Sequence, residues 1–471
     1  MTPLRHLRGT YPMRHLRGTL PLRRLRITAL AALLSAIIGV GATPPVAPLG
    51  VPNVVYTERV LPNGLQVIAV PNSASPTVSV QVWYHVGAKD DPPGRSGFAH
   101  LFEHLMFKGT RYLRPEQLDR LTEDVGGANN AFTTDDVTAY QDIVPSNHLE
   151  TLLWAEAERL SNLDVVQASF ESERAVVKEE YRERVLASPY GRFSRGIASL
   201  PYLSHPYRRP SIGSIEDLEA ATLADAAAFH ATHYRPDNAT LVVAGDFDPL
   251  QLDAWVDRYF APSPRPAVPV PRVTATEAAW TSDRRIALTG PQVPLPAVAL
   301  AWLAPPVTSP DAAALRIAAA LLGGGESSRL NQSLVYRQQL AAQASFAADL
   351  RAGPGLLVAS AVAAGGKPLA AVEAGLLAEV LRLTRQPVSA AELSKVKTQL
   401  LTDTLLTRQT PEGLGAAVAE AAVLEGGAAQ VNAGLAALLN VTAADVQRVL
   451  RRHLVGSHKV TIEYTQDGAP R

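Results

Sequence analysis

The sequence contains no cysteine, and this absence removes several kinds of chemistry. Without thiols the chain forms no disulfide, builds no zinc–thiolate site, has no thiolate nucleophile and carries no lipid on a cysteine. A charge imbalance is also absent, since 44 basic side chains face 44 acidic ones, so charge gives no reason to expect a nucleic-acid partner. The hydrophobic fraction of 47% is that of a globular protein.

A long apolar run is absent as well. The run 27–41 has about 15 residues, short of the roughly 20 that cross a bilayer as a helix. Basic residues precede it, and small residues at Val40 and Ala42 suit a cleavage site. We therefore expect residues 1–42 to be a signal peptide, the mature chain to have no membrane span, and the protein to be exported, periplasmic or secreted.

The segment Ser96–Thr110, SGFAHLFEHLMFKGT, predicts a short helix that carries two histidines and a glutamate. His100 and His104 are four residues apart, so their rings project from one face and can share a metal ion. Glu103 precedes the second histidine, which suits a general base beside the open side of that ion. Histidines at this spacing also occur as surface or packing residues, so the pattern needs a third ligand.

A glutamate-rich helix predicted over 169–184 offers that ligand. Glu173 and Glu180 are seven residues apart, on one face of the helix. Glu180 completes a two-histidine, one-glutamate zinc site with a fourth position for water, and Glu173 accepts a hydrogen bond from a ligand histidine. Such a helix is more often a solvated face, and on these residues alone both interpretations stay open.

The run ANNAFTTDDVTAYQDIVP, over 128–145, predicts an extended strand, because threonine, tyrosine and valine favour that conformation. At the edge of a sheet, its unpaired backbone groups would bind a substrate peptide as an added strand. An ordinary internal strand fits the same pattern.

At 471 residues the chain exceeds what one core usually holds. The order strand–strand–helix recurs about 220 residues later, which indicates a duplication. The helix in the second copy, DAAALRIAAALL, has neither histidine nor glutamate, so we expect no metal site there. The predicted limits are a proline-rich spacer at 43–52, a catalytic domain at 53–260, a proline-rich linker at 261–283 and a second domain at 284–471.

Three segments together resemble the pitrilysin, or insulinase, family of zinc metallopeptidases: GFAHLFEHLMFKGT, with its inverted H-x-x-E-H motif, NNAFTTDDVTAY and ERAVVKEE. Glu180 follows His104 by 76 positions, within a residue of the family's separation. The resemblance implies an α+β fold of two homologous domains, each a mainly antiparallel sheet packed with helices, arranged as a clamshell. It also implies a chamber for extended or unfolded peptides.

The resemblance further implies one Zn²⁺ per chain, bound by His100, His104 and Glu180, with Glu103 activating the water. It assigns Glu173 to the orientation of a ligand histidine. The family's strand that supports the substrate backbone falls here on Asn130 and Ala131.

Active members of the family also carry an arginine and a tyrosine in the second half that hold the scissile carbonyl. Arg329 matches the arginine, but Ala342 stands where the tyrosine is expected. Tyr336, seven residues after Arg329, is the alternative tyrosine, although its spacing favours another face. The chain therefore resembles the zinc-bearing subunit of bacterial two-chain periplasmic members, and we expect a homologous partner subunit in a heterodimer, or a homodimer. A non-catalytic peptide-binding or core subunit on the same fold is the alternative.

Overall fold

The structure is a computed structural model that describes residues 51–468. The predicted signal peptide and most of the proline-rich spacer lie outside these residues. Within them, no helix combines the length and the apolarity that crossing a bilayer requires.

The strands form two sheets, one in each half of the chain. Their bounds are β1 Thr57–Val60, β2 Gln66–Pro71, β3 Thr77–Tyr84, β4 Ala128–Thr133, β5 Thr138–Pro145, β6 Ala239–Gly245, β7 Arg284–Gly290, β8 Ala297–Ala304, β9 Ala341–Asp349, β10 Gly355–Ala363 and β11 Val460–Gln466. The first sheet has the order β1-β2-β6-β3-β5-β4 and the second β7-β11-β8-β10-β9.

The two sheets share one topology. Strand β2 pairs with β6 in parallel, as β7 does with β11, and the other pairs from β6 to β4 and from β11 to β9 are antiparallel. Without β1, the chain order of the strands within each sheet is the same. The predicted fold class of two homologous α+β halves is therefore confirmed, and β9 is the counterpart of the edge strand β4.

Helices cover both sheets. Their bounds are α1 Phe98–Leu105, α2 Gln117–Glu123, α3 Leu149–Asn162, α4 Gln167–Tyr181, α5 Gly191–Ser199, α6 Ile215–Ala220, α7 Leu223–His233, α8 Pro249–Tyr259, α9 Ala312–Gly323, α10 Leu369–Arg385, α11 Ala390–Thr407, α12 Pro411–Leu424, α13 Gln430–Asn440 and α14 Ala443–Leu454. By their place after the second strand of each copy, α1 and α9 are counterparts.

One helix from each half of the chain packs on the sheet of the other half. Alternate residues of β6 face opposite sides, so Leu241 enters the core beneath α1 while Val242 packs under Val418 of α12. In return, the Phe193 ring of α5 stacks on Tyr464 of β11, with the ring centres 5.7 Å apart. Each sheet is therefore buried partly by residues from the other half of the chain.

The segment between α8 and β7, residues 261–283, contains neither helix nor strand. The domain limits that we place at its ends remain a prediction.

Two predicted elements differ from the structure. The strand predicted over 128–145 is two strands, because the Thr134 hydroxyl accepts the backbone N–H groups of Asp136 and Val137 and closes a turn. The glutamate-rich helix begins at Gln167, two residues before the predicted start, and continues after Tyr181 as the π-helical segment Arg182–Ala187.

Candidate metal centre

Helix α1 is anchored at its first turn by a carboxylate from outside the helix. Asp91 accepts the backbone N–H groups of Gly97 at 2.7 Å and Ala99 at 2.9 Å. Gly97 has φ of 94°, which glycine adopts without the strain that a side chain would cause. These contacts satisfy N–H groups that lack partners within the helix.

The two faces of α1 have different environments. Leu101, Phe102 and Leu105 are fully buried in the core of the first half. His100 and His104 lie one turn apart on the other face, with their ring centres 5.0 Å apart. Burial of the apolar face therefore directs both imidazoles toward α4.

One carboxylate oxygen of Glu180, in α4, lies close to both imidazole rings. Its Oε2 lies 3.5 Å from His100 Nε2 and 3.4 Å from His104 Nε2. Ligands about 2.1 Å from a tetrahedral zinc ion stand about 3.4 Å apart, so this spacing fits the ion. Within residues 51–468, these three side chains are the one group with metal-ligand donors this close together.

Glu173 lies behind His104. Its Oε2 is 3.5 Å from His104 Nδ1, and its Oε1 is 2.9 Å from Nζ of Lys108. A carboxylate on the far nitrogen holds an imidazole in the orientation and tautomer that present Nε2 to a metal.

In the absence of metal, the two histidines titrate differently. Burial lowers the pKa of His100 to about 4. Burial also opposes the charge on His104, but Glu173 and Glu180 outweigh it and raise that pKa to about 9. The hydrogen bond with His104 in turn lowers the pKa of Glu180. A dication would take the place of the proton that these carboxylates favour on His104.

Glu103 is close to the three donors but is not one of them. Its Oε2 lies 3.9 Å from His100 Nε2. Burial raises the pKa of Glu103, and a hydrogen bond with the Thr133 hydroxyl opposes that rise. A carboxylate whose pKa is moved toward neutrality accepts and returns a proton more readily than an ordinary one.

These groups open into a cavity of about 540 Å³. Asn130 and Ala131 of β4 line it, together with Val176 and Glu180 of α4 and Arg184 of the π-helical segment. Because β4 is the last strand of its sheet, no strand within residues 51–468 pairs with one side of its backbone.

The structure does not bring Arg329 to this cavity. Arg329 donates from Nε and Nη2 to the two carboxylate oxygens of Glu392, both at 2.8 Å, and it does not line the cavity. Ala342 lies exposed on β9. The substrate-binding role of Arg329 thus remains a prediction, and its guanidinium already has a partner.

Comparison with known proteins places this geometry in a family. The sequence model of the insulinase family, peptidase family M16, matches residues 66–189, and that of the M16 inactive domain matches residues 220–400. The zinc protease PqqE of Helicobacter pylori is 33% identical over 345 residues, which cover 72% of this chain and 76% of that protein. This chain belongs to the insulinase family of peptidases. The resemblance expected from the sequence is confirmed.

Solved structures of M16 proteins share the fold. A protease from Helicobacter pylori superposes with a TM-score of 0.83 at 27% identity, over 87% of this chain and 99% of that one. The periplasmic protease PqqL from Escherichia coli superposes with a TM-score of 0.71 at 20% identity, over 87% of this chain but 47% of that one. The two-domain clamshell fold of M16 proteins therefore holds for this chain, which spans about half the length of PqqL.

Sequence reasoning missed three contributors to this M16 site. Asp91 was not singled out, and neither Lys108 nor Arg184 was given a partner. Arg184 follows Glu180 by four residues, so helical spacing alone would have placed it on the same face. Asp91 acts through the backbone of α1, which side-chain motifs do not reveal.

Proposed function

We propose that this chain is a zinc-dependent endopeptidase that hydrolyses extended or unfolded peptides, with His100, His104 and Glu180 as the zinc ligands. The supporting observation is that one oxygen of Glu180 lies 3.5 Å from His100 Nε2 and 3.4 Å from His104 Nε2. These are the distances between neighbouring ligands of a tetrahedral zinc ion. The zinc-protease name of the H. pylori relative agrees with this proposal.

When bound, zinc would supply Lewis-acid chemistry, polarising a carbonyl group and making water more acidic. Glu103 then takes the proton from the attacking water and transfers it to the leaving amine. Glu173 and Lys108 keep His104 in place, and Asn130 and Ala131 hold the peptide backbone along β4 as an added strand. An extended peptide fits this edge, whereas a folded segment has its backbone groups already paired.

The test is Glu103→Gln, which replaces the proton acceptor by a group of the same shape. We expect one zinc ion per chain to remain, measured by elemental analysis, and hydrolysis of a fluorogenic peptide to fall about 10²–10⁴-fold. The matched control is Glu179→Gln, because Glu179 lies on the same helix as the ligand Glu180, pairs with Arg182 and does not line the cavity.

Two results would count against the proposal. Hydrolysis that survives in the Glu103→Gln protein would remove Glu103 as the base. A wild-type chain without zinc and without action on peptides, alone or with a partner, would remove the peptidase function.

We further propose that the chain is exported and works as the zinc-bearing subunit of a two-chain enzyme. The E. coli protease named as periplasmic is about twice as long, which is the size of two such subunits in one chain. In this chain, Arg329 is paired with Glu392 and Ala342 offers no hydroxyl group. A homologous partner with an arginine and a tyrosine in its second half would supply both.

A non-catalytic subunit is the second candidate, favoured by the match of residues 220–400 to the M16 inactive domain. It would need neither the metal ligands nor Glu103. Elemental analysis distinguishes the candidates, because this alternative predicts a metal-free protein that binds peptides without cutting them.

A further inference from the structure

The cavity at the candidate metal centre contains one strongly basic side chain. Among the described residues that line it, Arg184 is the only lysine or arginine. Its side chain is 72% exposed, whereas those of Glu103 and Glu180 are each 16% exposed. The guanidinium is therefore the charged group in this cavity that a ligand meets most easily.

Arg184 contacts the proposed ligand Glu180 from the side away from the histidines. Its Nη1 lies 2.6 Å from Glu180 Oε1, while Glu180 Oε2 faces the two imidazoles. One carboxylate thus separates the guanidinium from the proposed metal position. Arginine has five N–H donors in a planar fork, and this ion pair leaves most of them for another acceptor.

The backbone around Arg184 is held firmly. Arg184 belongs to the π-helical segment Arg182–Ala187, and the next side chain, Val185, is buried. Gly191 packs so closely that a Cβ there would lie 2.2 Å from the carbonyl oxygen of Arg184. Although its side chain is exposed, Arg184 therefore projects from a fixed point at the cavity wall.

With a metal dication bound, the charged side chains that line the cavity would have a net positive charge. A dication balances the two carboxylates, Glu103 and Glu180, that line the cavity. Arg184 then contributes the remaining positive charge, close to the proposed position of the peptide. A carboxylate matches an arginine fork in charge and shape better than a neutral carbonyl group does.

We infer that Arg184 determines specificity by favouring peptides that carry a carboxylate close to the scissile bond. This inference rests on the proposed peptidase function and names the substrate class of the same site. The carboxylate comes either from an aspartate or glutamate side chain or from the C-terminus of the peptide, and the chemistry of recognition is the same.

The experiment measures peptide binding to the zinc-loaded Glu103→Gln protein, which does not consume its ligand. The probes are dye-labelled unfolded peptides in which one glutamate, moved along the sequence, is exchanged for glutamine, each with a free or an amidated C-terminus. In at least one position, we expect the carboxylate form to bind about tenfold more tightly. Adding Arg184→Gln should abolish this preference, and Arg184→Lys should retain part of it.

Arg182→Gln is the matched control. Arg182 lies two residues away, forms a similar ion pair with Glu179 and does not line the cavity. It should leave the preference intact. All variants are compared in the Glu103→Gln background, because that substitution itself removes a negative charge. Zinc content is measured in each, so that loss of metal is not mistaken for loss of specificity.

The outcomes separate the two proposals. An unchanged preference in the Arg184→Gln protein, or no preference in the parent, overturns the role of Arg184 and leaves the peptidase proposal standing. A zinc-loaded parent that binds no peptide overturns the proposed function and this inference with it. A preference that depends only on the free C-terminus supports Arg184 and assigns the carboxylate to the chain end.

Discussion

At the scale of single residues, Asp91 supports the metal centre without being part of it. Its two oxygens hold the N–H groups of Gly97 and Ala99, and the second of these residues directly precedes His100. Helix α1 has only eight residues, so it depends on such contacts more than a long helix does. The position of both histidines thus rests partly on one buried carboxyl group.

We predict that at about pH 4 Asp91→Asn lowers the free energy of unfolding by about 1–2 kcal/mol, because the amide accepts through one oxygen where the carboxyl group uses two. Urea unfolding measures the change. Asp248→Asn is the control, since Asp248 caps α8 through one oxygen and asparagine caps equally well. An Asp91 variant as stable as the control would contradict this role.

The same residue predicts a pH dependence. Burial raises the pKa of Asp91 to about 7, above its ordinary value of 3.8. The folded state therefore holds this proton when the unfolded state has released it. The stability of the wild type relative to Asp91→Asn should be greatest below about pH 4 and should fall as the pH rises to about 7. A pH-independent difference in urea unfolding would refute this assignment.

At the scale of elements, the hairpin β4–β5 is positioned by a close backbone contact. Ala88 and Lys89 donate backbone N–H groups to the carbonyl oxygens of Thr134 and Asp135, at 3.0 and 3.1 Å. Gly87 lies directly beneath this turn, where a Cβ would come within 2.5 Å of the Asp135 carbonyl carbon. These contacts at the turn between β4 and β5 therefore fix the position of β4, the edge strand that lines the cavity.

We predict that Gly87→Ala destabilises the protein by about 1–3 kcal/mol and raises KM for peptides, because the turn must move away. Gly87 has φ of −147°, so the cost comes from collision and not from backbone strain. Gly365→Ala is the control, since a Cβ there has open space. Thermal unfolding and steady-state kinetics measure both effects, and equal behaviour of the two variants would show that the turn tolerates displacement.

At the scale of the whole molecule, the candidate metal ligands His100, His104 and Glu180 all lie in the first half of the chain. Helix α9, the counterpart of α1, contains neither histidine nor glutamate. The arginine expected to assist the reaction is bound to Glu392. The described residues thus bring together the proposed metal ligands and the proposed proton acceptor, whereas Arg329 is paired with Glu392 and Ala342 stands at the expected tyrosine position.

We predict that a homologous chain without the histidine pair, but with an arginine and a tyrosine in its second half, activates this one about 10²–10³-fold toward a fluorogenic peptide. That factor is typical of a single donor to a developing oxyanion. The Glu103→Gln chain mixed with the same partner is the control and should stay inactive. Full activity of the purified chain alone would exclude the two-chain proposal.

Much of the fold and the centre of the site could be predicted from the chain alone. The duplication followed from the recurring order of strands and helices, and the face shared by His100, Glu103 and His104 followed from helical periodicity. Both depend on local spacing, which the sequence displays directly. The roles of these residues in catalysis and metal binding remain predictions.

The tertiary structure decided what local spacing does not encode. By itself, the sequence determined which side chains share a helix face and which family the chain resembles. Only the folded chain placed Glu180 within 3.5 Å of both imidazoles, set Arg184 at the cavity wall and paired Arg329 with Glu392. The physical reason is that these contacts join residues 63 or more positions apart, or depend on a cavity that forms when separate elements pack, and a periodic pattern extends only over neighbouring turns.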